Sequence, residues 1–184
     1  MEINPIYVKE ETITKLKQLF QTDKDIPHLQ LHQFFTPNSF QLLQKQFLNQ
    51  KYSSHKKPLL FSYSIGKSPH LIDLSVLSSI IKQKISQIPF KSYQFQHKEY
   101  ILRNDKTKKS VGIDLIIDLT PHWSDSYGGV LSYTQGKHTI ILPSHPNSLT
   151  LIKKNQHTQK YLTYINHYAK KHKRTLLVAS IHRK

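Results

Sequence analysis

His97 and Glu99 stand two residues apart in "QHKEY". An imidazole and a carboxylate are side-chain types that hold a divalent metal. The plainer reading of the pair is the polar surface of a strand. A second concentration of unusual residues is "DLTPHWSDSYGGVLSY", from Asp118 to Tyr133. This acidic loop sits in a chain of formal charge +16 and holds its one tryptophan and two of its five glycines. Gly128 and Gly129 permit a tight turn or bulge that other residues resist. Trp123 offers a large ring to plug the rim of a barrel, and Asp118 and Asp125 read as acids that solvate the loop. His122 and His145 have no carboxylate at matching spacing and read as surface residues. The absence of cysteine excludes disulfides and thiolate metal sites. No glycine-rich phosphate loop, His-Glu-x-x-His motif or serine elbow occurs.

The 184 residues suit one domain, and 37% hydrophobic content suits a folded one. No apolar run approaches the roughly 20 residues that cross a membrane. The N-terminal stretch "MEINPIYVKEETITKL" lacks the basic start and apolar block of a signal peptide, so a cytoplasmic address is expected. The positive charge attracts polyanions such as RNA, the ribosome or an acidic protein. Lys, Gln, His, Ile and Ser are also abundant throughout, so composition alone accounts for part of it.

The elements that must position these residues follow from apolar periodicity. "ETITKLKQLF" predicts an amphipathic helix, and "HLQLHQFF" predicts a short strand. Thr36 and Pro37 cap and open a helix whose inner face carries Phe40, Leu43 and Phe47. "KPLLFSYSIG" reads as extended. Residues 73–88 predict the strongest helix, capped by Asp73 and lined by Leu74, Leu77, Ile81 and Ile85. After Pro89 come short strand-like runs: "SYQFQHKEYIL", "VGIDLIIDL", "GGVLSY", "HTIILP", "NSLTLI", "KYLTYI" and "RTLLVASI". Helices followed by strands imply an α+β class built on a sandwich or barrel.

The ordered set "IDLTPHWSDSYGGVLSY", "IILPSHPNSLTLI" and "YINHYAKKHKRTLLVASI" resembles the iron(II)/2-oxoglutarate-dependent oxygenases, in particular their prolyl-hydroxylase-like branch. "HLQLHQFFTPNSFQLLQKQFL" is similar to that branch's first strand and helix. The resemblance spans roughly residues 27–181. It implies a double-stranded β-helix, a jelly-roll or cupin-like barrel, with N-terminal helices packed on one sheet. It also implies a helical extension over 1–26 and one domain over 27–184, with helical support at 27–89 and the barrel at 90–184. Iron(II) and 2-oxoglutarate are the implied cofactors, and a protein or peptide is the implied substrate.

The family's iron is held by two histidines and a carboxylate. The first two ligands come from a His-x-Asp motif ahead of the tryptophan loop, where this chain has "YILRNDKTKKSVGIDL". One register puts Arg103 and Asp105 there, and a register shifted by one puts Asn104 and Lys106 there. Both lack the histidine, and arginine offers no lone pair to a metal. The resemblance puts the distal histidine at His167, on a strand from Lys160. It puts the basic residue that clamps 2-oxoglutarate at Arg174, on a face shared with Leu176 and Val178. His97 and Glu99 lie six residues before the Arg103 register as a substitute ligand pair. Two functions follow: an oxygenase-like hydroxylase with metal binding weakened or lost, and a non-catalytic binding module for RNA, the ribosome or an acidic partner. A carbohydrate-binding or structural sandwich rests on strand content alone.

Overall fold

A computed structural model describes residues 1–22, 25–67, 72–85, 87–103 and 111–182. A 3-10 turn at Pro5–Val8 leads into helix α1 (Glu10–Gln21), strand β1 (His28–Leu31) and helix α2 (Pro37–Leu48). The hairpin β2 (Tyr52–Lys57) and β3 (Phe61–Gly66) follows, then β4 (Ile72–Asp73), the short helix α3 (Leu77–Ile81) and β5 (Gln87–Ile88). The remainder is β6 (Lys91–Phe95), β7 (Tyr100–Ile101), β8 (Gly112–Asp118), β9 (Leu131–Gln135), β10 (His138–Leu142), β11 (Ser148–Lys154), β12 (Gln159–Leu162) and β13 (Arg174–His182).

Eleven strands form one curled antiparallel sheet in the order β1-β11-β8-β13-β6-β3-β7-β12-β9-β10, with β2 on β3. Strand β8 is an interior strand of it, paired along its length with β11 and β13. All seven of its residues are buried, because the sheet is covered on both faces. Ile113, Leu115 and Ile117 point to a cluster that contains Phe20 of α1, Leu43 and Phe47 of α2, and Leu77 and Ile80 of α3. Ile116 points the other way, into a second cluster with Leu131, Tyr133, Leu142, Ile152, Leu162 and Leu176. Strands β9, β10 and β12 thus close over the inner face of β8, β11 and β13. This is the α+β, double-stranded β-helix architecture that the sequence predicts, with helices on one outer face.

Helices α1 and α2 match their predicted spans, and Pro37 opens α2. Thr36 stands at the N-cap but makes no side-chain bond to the helix. The helix predicted over 73–88 is corrected to the five residues of α3. Lys82 adopts φ 53°, which ends the helix, and the Ser78 hydroxyl clasps the Ile85 N–H and C=O at 2.9 and 3.1 Å. Leu74, Leu77, Ile81 and Ile85 still reach the helix-side cluster. The periodicity therefore identifies core residues but not their backbone. Strand β2, "YSSHKK", has no apolar alternation to predict it, and its residues are largely exposed. Strands β1 and β3 join the same sheet as the later strands. The chain around residues 89–90 therefore does not separate helical support from barrel. The first residues are also tied in, through a bridge from Ile3 to Phe35 and a bond from the Tyr7 hydroxyl to the His32 carbonyl at 2.6 Å. Among the described residues no helix is long and apolar enough to cross a membrane.

Gly128 and Gly129 have φ of 73° and 66°. A Cβ on Gly128 would sit 2.2 Å from the Tyr164 carbonyl oxygen. One on Gly129 would sit 2.9 Å from the Trp123 ring. Gly136 also has positive φ, 60°, but open space around it. Gly128→Val is therefore expected to cost about 2 kcal/mol or more in urea denaturation, and Gly136→Ala about 1 kcal/mol from backbone strain alone. Equal stabilities for the two variants would remove the steric account of the glycine pair.

Candidate functional site

Side chains alternate along a strand, so Asp114, Ile116 and Asp118 share the inner face of β8. The two carboxylates are buried, at 0% and 4% exposure. They stand at opposite ends of that face, four residues apart. Each is held by cations and hydroxyls that neighbouring strands bring to the same face.

At one end, Asp114 Oδ1 accepts from Lys154 Nζ at 2.6 Å and from Ser180 Oγ at 2.6 Å. Its Oδ2 accepts from the Tyr133 hydroxyl at 2.7 Å and lies 3.6 Å from Lys160 Nζ. Burial alone would raise the Asp114 pKa. The ammonium groups of Lys160 and Lys154, with hydrogen bonds from Lys154 and Ser180, outweigh burial and bring it down to about 2. Burial, the Asp114 charge and the hydrogen bond to it push the Tyr133 hydroxyl well above its usual range, so it stays a donor.

At the other end, Asp118 Oδ1 accepts from the Thr120 N–H at 2.9 Å, and Oδ2 accepts from Ser144 Oγ at 2.8 Å. Arg174 Nη2 lies 3.6 Å from Oδ2. Arg174 is 2% exposed and opens β13, where Leu176 pairs with Asp118 across the ladder. Its Nη1 donates to the Gly129 carbonyl and its Nη2 to the Leu142 carbonyl at 3.4 Å. Its Nε has no hydrogen-bond partner among the described residues. Desolvation lowers the Arg174 pKa against the opposing pull of Asp118.

The tryptophan loop serves this end of the barrel. Trp123 Nε1 donates to the Gly128 carbonyl at 2.9 Å, and its ring meets Tyr127 edge-on at 5.4 Å. Gly128 bridges to Ile165, the Asn166 N–H donates to the Tyr127 carbonyl, and Tyr127 stacks on His172 at 5.6 Å. The glycine pair lets the loop lie against residues 164–172 and aim the Gly129 carbonyl at Arg174. Asp125 is exposed, as a loop-solvating acid should be. Asp118 is not: it is an inward ion-pair partner, because it ends a strand buried on both faces.

Arg174 is buried inside the barrel together with Leu176, as predicted. His167 is elsewhere. It opens a 3-10 turn (His167–Ala169), is exposed, and packs its ring against Tyr168 at 4.2 Å. Strand β12 ends at Leu162, so His167 does not continue its inner face. Asp105, with Asn104 and Lys106, lies outside the described residues. Glu99 accepts from the Gln96 N–H at 2.7 Å and from Ser64 Oγ at 3.3 Å, which fixes the β6–β7 turn. His97 faces Tyr164, at 6.5 Å.

Iron and 2-oxoglutarate do not fit the described residues. No three His, Asp or Glu side chains among them come together to hold a metal. Residues 98–121 contain no histidine. The inner carboxylate Asp114 is already matched by ammonium groups, which repel a divalent cation. A bidentate clamp on a carboxylate needs two N–H groups on one edge of the guanidinium. Both Nη groups of Arg174 already serve backbone carbonyls and Asp118, and Nε alone is left.

No protein-family model matches the chain. Its fold matches solved oxygenase structures. A Pseudomonas putida prolyl-4-hydroxylase superposes with TM-score 0.69 at 10% identity, over 92% of this chain and 99% of that one. An oxidoreductase of the 2OG-Fe(II) oxygenase family from Burkholderia pseudomallei gives 0.67 at 8%, over 96% and 93%. A Trichoplax adhaerens prolyl hydroxylase, solved with a peptide fragment of the hypoxia-inducible factor oxygen degradation domain, gives 0.66 at 11%, over 95% and 93%. The chain therefore has the prolyl-hydroxylase type of oxygenase fold. Sequence reasoning missed Asp114 and Asp118 as interior residues, and Lys154 and Lys160 as the partners of Asp114. The signal was present in "GIDLIID", where two acids share one face of an otherwise apolar strand.

Asp114 has a folded pKa of about 2 against an ordinary 3.8. Its contribution is present above about pH 4 and is lost as the pH falls through about 2, amounting to about 2 kcal/mol. Urea denaturation at pH 6 and near pH 2 should show Asp114→Asn losing less stability than wild type across this window. At pH 6 the variant should be about 3 kcal/mol less stable, because two ammonium groups lose their counterion. Identical acid sensitivity in the two proteins would contradict the assignment.

Proposed function

We propose that this chain is a non-catalytic binding protein on an oxygenase fold, with an anionic partner. The observation that carries this reading is the engagement of Arg174. The residue that the resemblance assigns to the 2-oxoglutarate carboxylate is paired with the chain's own Asp118 and with two backbone carbonyls. The ammonium groups around Asp114 support the same reading, since they give the interior a charge balance that needs no metal. The formal charge of +16 and the exposed Lys56 and Lys57 of β2, with Lys170, Lys171 and Lys173 before β13, favour a polyanion such as RNA or an acidic protein surface.

A working hydroxylase acting on a peptide is the second reading. Arg174 supports it, because it is a buried basic residue and the resemblance assigns it to the 2-oxoglutarate carboxylate. The peptide held by the Trichoplax enzyme supplies the substrate class by analogy.

Anaerobic calorimetric titration separates the two. Iron(II) or manganese(II) with 2-oxoglutarate at millimolar concentration is expected to give no saturable heat with wild type. Tight metal-dependent binding of 2-oxoglutarate would overturn the proposal in favour of the hydroxylase. A filter-binding series with mixed-sequence RNA tests the partner. Affinity should fall steeply with salt as counterions are released. It should also weaken in a Lys170→Glu, Lys171→Glu variant. No binding at low salt would leave the basic composition without an RNA role.

A further inference from the structure

Beside the Asp114 ion pairs the curled sheet opens into a cleft of about 230 Å³. Phe95, Leu131 and Leu176 are its buried residues. Phe61, Tyr63, Tyr93 and Val178 also line it and are only half-buried. The aromatic rings form a continuous wall. Phe61 stacks on Tyr63 at 4.9 Å, Tyr63 meets Tyr93 edge-on at 5.4 Å, and Tyr93 stacks on Phe95 at 6.3 Å. Burial raises the Tyr63 and Tyr93 pKa values, so both stay neutral.

Among the described residues Lys160 is the one charged side chain lining this cleft. Its side chain is 33% exposed, and its ammonium lies 3.6 Å from Asp114 Oδ2. That is an ion-pair distance but too long for a hydrogen bond. The Asp114 oxygens already receive Lys154, Ser180 and the Tyr133 hydroxyl at 2.6 to 2.7 Å. The Lys160 ammonium therefore keeps donors that Asp114 does not use, next to an apolar and aromatic wall that water covers only in part.

We propose that this cleft binds a small aromatic carboxylic acid, with its ring on the Tyr63 and Tyr93 wall and its carboxylate on the Lys160 ammonium. Charge complementarity selects an anion. The apolar walls select a ligand with a ring, which 2-oxoglutarate lacks. The volume accommodates one ring system and a short acidic side chain rather than a nucleic-acid strand. The one lining cation among the described residues matches one carboxylate. This names a ligand class for the binding-protein reading and rests on its intact interior ion pairs.

The test is calorimetry on the full chain, with indole-3-acetate as probe and its neutral amide as the matched control. Wild type is expected to bind the acid saturably and the amide at least about tenfold more weakly, since the ion pair with the Lys160 ammonium becomes a hydrogen bond to a neutral carbonyl. Lys160→Met should abolish the difference between acid and amide, and Lys160→Arg should restore it. Tyr93→Ala should weaken both ligands alike. Circular dichroism on each variant checks folding, and the Arg variant keeps the test decisive if the Met variant unfolds. Equal binding of acid and amide by wild type, or no binding of either, would overturn the inference. Displacement of the acid by 2-oxoglutarate only when manganese(II) is present would instead overturn the binding-protein reading. Silence from both 2-oxoglutarate and the acid would sink this inference alone. Displacement of the acid by an oligouridylate, with no response to Lys160→Met, would assign the cleft to nucleic acid and refute the proposal.

Discussion

Two carboxylates face inward from one strand that is covered on both sides, and the barrel interior is organised around neutralising them. An isolated buried carboxylate is too costly to keep ionised without partners. Asp114 and Asp118 each have theirs, drawn from strands that are distant in sequence. Lys154 comes from β11, Lys160 from β12, Tyr133 from β9 and Arg174 from β13. The ladder registers make this possible. Ser180 and Ile152 both pair with Asp114, while Leu176 and Ser148 both pair with Asp118. The polar contacts therefore fall in two layers, with Ile116 between them. A one-residue slip of β8 would turn both acids toward the helices and the three apolar residues of its outer face toward the cations. The ion pairs thus help to specify register, whatever they add to stability.

Much of the architecture was legible because it depends on apolar periodicity. Phe40, Leu43 and Phe47 recur at helical spacing and do face the core. The run "GIDLIID" is too apolar for a strand with a wet face, and it is an interior strand buried along its length. Where periodicity fails, the reasons are local. The 73–88 segment has helical spacing at its apolar positions, but the left-handed Lys82 and the Ser78 clasp on Ile85 break the helix. Tertiary packing, not the helix, puts those residues in the core. The β2 strand carries no apolar signal because it is an exposed edge beyond β3.

The site was legible in part for a different reason. Arg174 could be placed because it shares parity with Leu176 and Val178, and parity is local. His167 could not be placed the same way, since extrapolating β12 past Leu162 ignores the turn that Asn166 caps through the Tyr168 N–H. The partners of Asp114 and Asp118 are long-range facts. Nothing near Lys154 or Lys160 in sequence announces a carboxylate, so the parity of "GIDLIID" carries a signal for the inward acids, which the sequence reading passed over, but no local pattern signals the cations that answer them.

The glycine pair closes the account of the acidic loop. Its function is mechanical: positive φ at Gly128 and Gly129 brings the loop backbone within hydrogen-bonding distance of Arg174 and beneath the Trp123 ring. The Gly129 carbonyl then supplies one of the acceptors that a buried guanidinium requires, and Asp118 supplies the charge. A cation so enclosed serves the barrel's own integrity, because each acceptor belongs to a segment that the cation pins in place: β8, the tryptophan loop and the end of β10. The other charged layer is built differently. Asp114 takes three short bonds from other donors, while Lys160 stands at the edge at ion-pair distance with donors that Asp114 does not take up. One layer is therefore closed on itself, and the other opens into the aromatic cleft.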